Sequence, residues 1–271
     1  MVQYGVLVIS HGSRDATWVR FVDEAVQAMQ LPAGMPVESV FLEIVEGRLI
    51  QDGIDRLEAR GVTDIIVIPL FISSGSTHID EIRYALGLQK APMLETELRP
   101  FRIAARVHWR RPLDDAPETA RMVCDALGGL RDNPEHKLLI LVGHGSDAPG
   151  FHERWRDGMR SVAAQVKELA GFAETDIAML LPDQLGSKLR EWQRRRPDLQ
   201  VVIAPLFLSA GYFTNNVIPE RAAGFQYLYN GRALLPNPLL SVWLTRQVTS
   251  SMPPEEKWGM HEDDQESTVD L

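Results

Sequence analysis

Short apolar runs alternate with longer amphipathic stretches along this chain, and the alternation is gone through twice. In the first half, runs rich in Val, Ile and Leu at about 5–10, 37–42, 64–71 and 102–108 predict strands. Between them, apolar positions recur at helical spacing over about 15–30, 46–60, 78–88 and 114–129. The second half predicts strands at about 137–143, 176–181, 200–207 and 227–233, and helices near 151–171, 183–196, 214–223 and 238–251. Runs so continuously apolar belong to strands buried on both faces, as in parallel sheets covered by helices. The alternation then predicts an α/β fold of two tandem doubly wound parallel-sheet domains, flavodoxin-like in type.

The two halves also share wording. Val6-Leu-Val-Ile-Ser-His-Gly-Ser13 is echoed by Leu139-Ile-Leu-Val-Gly-His-Gly-Ser146, and Ile68-Pro-Leu-Phe-Ile-Ser-Ser-Gly75 by Ala204-Pro-Leu-Phe-Leu-Ser-Ala-Gly211. Chance likeness of apolar runs does not keep both order and spacing, so the repeat implies an internal duplication. Domains are expected at 1–132 and 133–252, joined near Asp132-Asn133-Pro134. The acidic stretch 253–271, with Glu255, Glu256, Glu262, Asp263, Asp264, Glu266 and Asp270, reads as a solvated, poorly ordered tail, and His261 within it as a spectator.

Composition narrows the function. Apolar residues at 45% and charged residues at 24% match globular domains and count against a disordered, fibrous or membrane protein. The longest apolar runs, such as 65–72, are too short to cross a bilayer. Met1-Val2-Gln3-Tyr4 leads straight into a strand with no basic leader region, so a cytoplasmic location is expected. A net charge of −9 counts against nucleic acid as a partner. Cys124 is the only cysteine, which excludes an intrachain disulfide or a thiolate metal cluster. Any metal site has to use His, Asp, Glu or backbone oxygen.

Topology suggests where such groups meet. Ligands of open parallel sheets bind beyond the carboxyl ends of the strands, where strand order switches direction. An order of 2-1-3-4 flanks strand 1 with strands 2 and 3, which end in Ser10-His11-Gly12-Ser13, Val40-Phe41-Leu42-Glu43 and Phe71-Ile-Ser-Ser-Gly-Ser-Thr-His78. His11, Glu43 and His78 thereby reach one rim. Two imidazoles and a carboxylate suit Fe²⁺, Co²⁺ or Ni²⁺, and equally a base working near neutral pH. Taken singly, each has a plainer reading: a loop histidine, a helix-entry acid, an N-terminal helix residue. The Gly and Ser residues at 12–13 and 73–76 also read as loop punctuation or N-caps. Neither half carries a G-x-G-x-x-G or a Walker lysine, so a nucleotide site has little support.

Val8-Ile-Ser-His-Gly-Ser-Arg14, the Phe41-Leu-Glu43 strand end and Pro69-Leu-Phe-Ile-Ser-Ser-Gly-Ser-Thr-His-Ile-Asp-Glu-Ile82 together resemble the class II tetrapyrrole chelatases of CbiX/SirB type. The likeness is good over 4–130 and degenerate over 137–250. Such enzymes insert cobalt or iron into sirohydrochlorin without ATP, on the way to cobalamin or siroheme, and small relatives handle nickel. The resemblance implies a lyase with no permanently bound cofactor that takes Co²⁺, Fe²⁺ or Ni²⁺ as substrate and releases two protons. It makes His11, Glu43 and His78 the catalytic and metal-binding set. Sirohydrochlorin carries eight carboxylates, so basic and polar donors are sought among Arg14, Ser13, Ser74, Ser76, Arg83, His144 and Tyr212. Ser76 and Thr77 stand where an apolar residue is common in the family.

The second half departs further. His144 is kept, but the strand end reads Met179-Leu-Leu-Pro182 and Thr214 stands opposite His78, so a second full site is not expected. That domain is expected to wall the cleft and touch the macrocycle through Tyr212, Phe213 and Asn215, or to bury those aromatics in the seam. A ferrochelatase for another porphyrin, a non-catalytic tetrapyrrole or metal carrier, and a homodimer remain open alternatives.

Overall fold

A computed structural model describes residues 2–252; the expected acidic tail and His261 lie outside the described residues. The first half contains β1 (Tyr4–Ser10), α1 (Ala16–Gln27), β2 (Val37–Phe41), α2 (Ile50–Ala59), β3 (Asp64–Pro69), α3 (Thr77–Ala85), β4 (Arg106–Trp109) and α4 (Pro117–Leu127). The second contains β5 (Lys137–Gly145), α5 (Phe151–Ala170), β6 (Glu174–Leu181), α6 (Leu185–Arg195), β7 (Gln200–Pro205), α7 (Ile218–Arg221) and α8 (Leu239–Thr249). All pairings are parallel, in the orders β2-β1-β3-β4 and β6-β5-β7. The expected architecture of two doubly wound sheets is what the chain adopts.

Strand period sorts the core into three parts. Leu7, Ile9, Ile65 and Val67 pack outward on Ile54 and Leu57 of α2 and on Ile79 and Ile82 of α3. Their neighbours Val6, Val8, Ile66 and Ile68 face the other way, into one cluster that also takes Leu139, Leu141, Val202 and Ala204 from the second sheet. Leu138, Ile140 and Ile203 pack outward again, on Leu185, Leu189 and Trp192 of α6. The two halves therefore share their largest core.

That core is closed by exchange. Helix α4 packs on α5 and β7 of the second half, and α8 packs on α1 and β3 of the first. The crossing helices meet in a two-bond ion pair, Arg246 Nε and Nη2 to Glu118 Oε1 and Oε2 at 2.9 and 2.6 Å.

Three predicted elements differ from those observed. The strand expected at 102–108 begins only at Arg106, because the N–H groups of Ala104 and Ala105 donate to Glu58 Oε1 instead of a strand. The strand expected at 227–233 is a single bridge, Val202 with Leu228. Gly231 turns the chain away at φ +69°, and the Asn230 amide is drawn to the Ala126 carbonyl at 2.8 Å. The helix expected over 214–223 opens as a π-helical turn, Phe213–Val217, before α7. Pro219 brings no N–H to a regular ladder there.

Candidate active site

His11 leaves the end of β1 and Glu43 the end of β2. Parallel pairing carries one step past both strands, with Leu42 N donating to Ser10 O at 2.8 Å and Glu43 N to His11 O at 3.2 Å. These backbone bonds set the two side chains together, His11 Nε2 3.6 Å from Glu43 Oε1. Glycine is required between them: Gly12 sits at φ +105°, and a Cβ there would run into the Glu43 carbonyl. Ile44 follows at φ +74°, a left-handed conformation that a β-branched side chain adopts only under strain.

His78 is the second residue of α3, reached through the loop after β3. Its ring stands edge-on to that of His11, with centroids 4.7 Å apart and an interplanar angle of 70°. Phe71 flanks it at 6.1 Å. The tautomers follow from the partners. His11 Nδ1 lies 3.1 Å from the Gly12 carbonyl, which only accepts, so Nδ1 carries the proton. His78 Nδ1 lies 2.5 Å from Glu81 Oε1 and donates to that carboxylate. In that tautomer the lone pair of each ring lies on Nε2.

Glu81 was not among the residues singled out from the sequence. Its other oxygen accepts from Thr96 Oγ1 at 2.6 Å. Burial pushes its carboxyl up, but the bonds from His78 and Thr96 and the nearby imidazoles hold it below the usual range. The signal was there: His78 and Glu81 stand three apart on a predicted helix, a spacing that makes neighbours.

A cleft of about 700 Å³ opens between the halves, walled by His11, Ser13, Ser76 and His78 on one side and by His144, Tyr212 and Phe213 on the other. Trp18, Trp155 and Phe207 also line it and were not foreseen. Glu43 reaches His11 from outside this wall, and the Glu43 side chain is 55% exposed. Among the described residues no three His, Cys, Asp or Glu side chains form a ready metal cage. Of the three expected site residues, His11 and His78 meet in the cleft wall and Glu43 stands beside His11 alone.

The second half keeps part of this design. His144 repeats the bond of His11, its Nδ1 3.1 Å from the Gly145 carbonyl. Gly145, at φ +80°, backs onto the Leu181 carbonyl, so Leu181 occupies the place of Glu43. Thr214 is buried, its hydroxyl bonded at the Gly211 backbone. Phe213 meets His144 edge-on at 5.1 Å and stacks on Phe207 at 5.6 Å, while Tyr212 is 70% exposed. The aromatics split between wall and rim and are not sealed into the seam.

Three expected substrate contacts lie elsewhere. Ser74 and Arg83 line a second cavity, because the Ser74 N–H is drawn to Asp114 and the Arg83 guanidinium lies over Trp109. Arg14 is exposed and does not wall the cleft. No described helix is long and apolar enough to cross a membrane.

Solved structures share this fold. SirB from Bacillus subtilis with Fe³⁺ is 19% identical, with 92% of this chain and 96% of that one covered and a TM-score of 0.69. The sirohydrochlorin chelatase SirB from Bacillus subtilis subspecies spizizenii, in complex with cobalt, is 17% identical, covers 94% and 97%, and scores 0.62. CbiX, described as the terminal enzyme for biosynthesis of siroheme in denitrifying bacteria, is 18% identical, covers 92% and 100%, and scores 0.63. At such identities the likeness establishes the fold. No curated protein sequence matches significantly. The CbiX family model, however, matches twice, at residues 5–128 and 138–251. One model covering both halves accounts for the repeated motifs and the paired sheets together, and it makes this chain a member of the CbiX family.

Proposed function

We propose that the protein is a metal chelatase that inserts a divalent ion, Co²⁺ or Fe²⁺, into sirohydrochlorin without ATP, on the way to cobalamin or siroheme. The observation that carries this reading is the His11–His78 pair, edge-on at 4.7 Å and set in the wall of a ligand-sized cleft. The cobalt and iron complexes of the SirB structures and the siroheme role of the CbiX structure support it.

Metallation exchanges two pyrrole protons for one M²⁺. A site for it has to offer the ion labile donors and take up protons at neutral pH. The Nε2 lone pairs of His11 and His78 can serve in either role, since an imidazole nitrogen is both a borderline metal ligand and a general base. Glu43, beside His11 and open to water, accepts a proton from that side and passes it out. Glu81 holds His78 in the tautomer whose Nε2 is free, and its negative charge stabilises the imidazolium formed on proton uptake. Opposite them, Phe213 and Tyr212 offer flat apolar surface to the macrocycle face, and His144 a third imidazole.

Anaerobic metallation of sirohydrochlorin and, side by side, of protoporphyrin with Co²⁺, Fe²⁺ and Ni²⁺ in parallel, followed by visible spectrum, tests the reading. Turnover with Co²⁺ or Fe²⁺ is expected. Stoichiometric binding without turnover would make the protein a carrier, and preference for protoporphyrin would make it a ferrochelatase of another kind.

A further inference from the structure

The loop before α3 and the first turns of that helix divide their residues between two cavities. Gly75, Ser76 and His78 face the cleft, whereas Ser74, Ile79 and Arg83 line a second cavity of about 470 Å³. Three guanidinium groups from three elements border it: Arg83 of α3, Arg111 after β4 and Arg154 of α5. In a chain of net charge −9, this is a local reversal of sign.

Two carboxylates share the walls, but most of their oxygens are committed. Asp80 accepts from Gln89 Nε2 at 2.7 Å and from Met93 N at 2.6 Å. Asp114 Oδ1 accepts from Ser74 N at 2.7 Å, and Oδ2 is buried with Arg111 Nη2 3.8 Å away. Arg111 is shared between Asp114 and Asp115, each 3.8 Å away, whereas the other two cations are far less occupied. Arg83 lies 5.5 Å over the Trp109 ring and Arg154 5.2 Å over Phe151, and among the described residues neither is ion-paired. Among the described residues the hydrogen bonds of Arg154 are long, to the Ser74 carbonyl at 3.5 Å and the Met93 sulfur at 3.7 Å. A guanidinium seated on an aromatic face keeps its N–H edge for two oxygens of a carboxylate or phosphate.

We infer that this second cavity binds a small, multiply charged free oxyanion of the phosphate or polycarboxylate class, held by Arg83 and Arg154 and closed over by the exposed Arg111. The site is also wired to the cleft. Ser74 donates to Asp114 and accepts from Arg154, and Gly75 backs so closely on α5 that a Cβ would stand 2.6 Å from the Phe151 carbonyl. An anion that draws Arg154 off Ser74 therefore acts on the loop that positions His78.

Isothermal titration of the full-length protein, in a buffer free of other oxyanions, tests this with inorganic phosphate and with citrate as separate probes. Saturable binding of at least one is expected, weakened tenfold or more in the Arg83→Ala/Arg154→Ala double variant. Arg154→Glu, at an exposed position, gives the same loss if the double variant does not fold. Absence of saturable binding for both probes, or unchanged affinity in these variants, overturns the assignment. So does competitive displacement by sirohydrochlorin, which would make the arginines a subsite of the cleft. Binding heat does not depend on turnover: an inactive protein that binds the anion upholds this inference, and an active chelatase that binds neither probe sinks it.

Discussion

Nδ1 of His78 lies 2.5 Å from Oε1 of Glu81, one turn further along α3, and the other Glu81 oxygen is tied to Thr96. The carboxylate orients an imidazole of the cleft from behind. Partners of this kind are worth about 10–100-fold in activity where they orient a metal-binding histidine. Glu81→Ala should lower kcat for metallation by about that range with a smaller change in KM. Glu81→Gln keeps an acceptor and should lose less. Equal losses in KM and kcat for both variants would point to a merely structural role.

Replacing either cleft imidazole should end the reaction. His11→Ala and His78→Ala are expected to reduce metallation to background while leaving thermal unfolding nearly unchanged, since both side chains are over a third exposed. His144→Ala should weaken turnover but leave it measurable, because neither a Glu43 nor a His78 equivalent stands beside that ring. Wild-type rates in both of the first two variants would remove the proposed chemistry.

Gly12 joins the two strand ends through a backbone contact that no Cβ can share. Gly12→Ala should cost about 1–3 kcal/mol of stability and pull Glu43 away from His11. Gly145→Ala should cost a similar amount, for it meets the Leu181 carbonyl in the same way, yet leave more activity. Urea unfolding together with metallation rates separates the two effects.

The Glu118–Arg246 pair fastens the crossed helices. The Glu118 side chain is only 11% exposed, so Arg246→Ala strands a mostly buried carboxylate. A loss of about 1–3 kcal/mol is expected, and Glu118→Gln combined with Arg246→Ala should recover part of it. Additive losses in that double-mutant cycle would show the contact to be worth little.

Asp114 gives a pH signature. Burial pushes its carboxyl up against the opposing bonds from Ser74 and the charge of Arg111. A folded pKa above the unfolded one means that the native state binds the proton more tightly, so this group's contribution to stability falls as pH rises through the window between the two values. Asp114→Asn removes that component. Its stability relative to wild type should therefore be higher at neutrality than below the ordinary aspartate range, as read from urea midpoints.

Much of this was legible in the chain. The period of apolar residues marked the strands, and the strand order followed because a doubly wound sheet has few ways to connect. His11 and His78 could be paired from sequence, since strand ends in a parallel sheet share one edge. Where side chains or turns competed for backbone groups, periodicity misled: Glu58 captured the start of β4, and Asn230-Gly231 ended the last expected strand.

Local pattern, then, determined the two sheets, their duplication and the rim on which the imidazoles stand. Tertiary structure alone decided which loop residues face which cavity, that Ser74 and Arg83 turn from the cleft, and that α4 and α8 exchange partners to make one core. The reason is range. Strand and helix periods are set by neighbours a few residues apart, whereas the direction of a loop side chain depends on contacts such as Ser74 with Asp114 and Arg83 with Trp109, brought together only by folding.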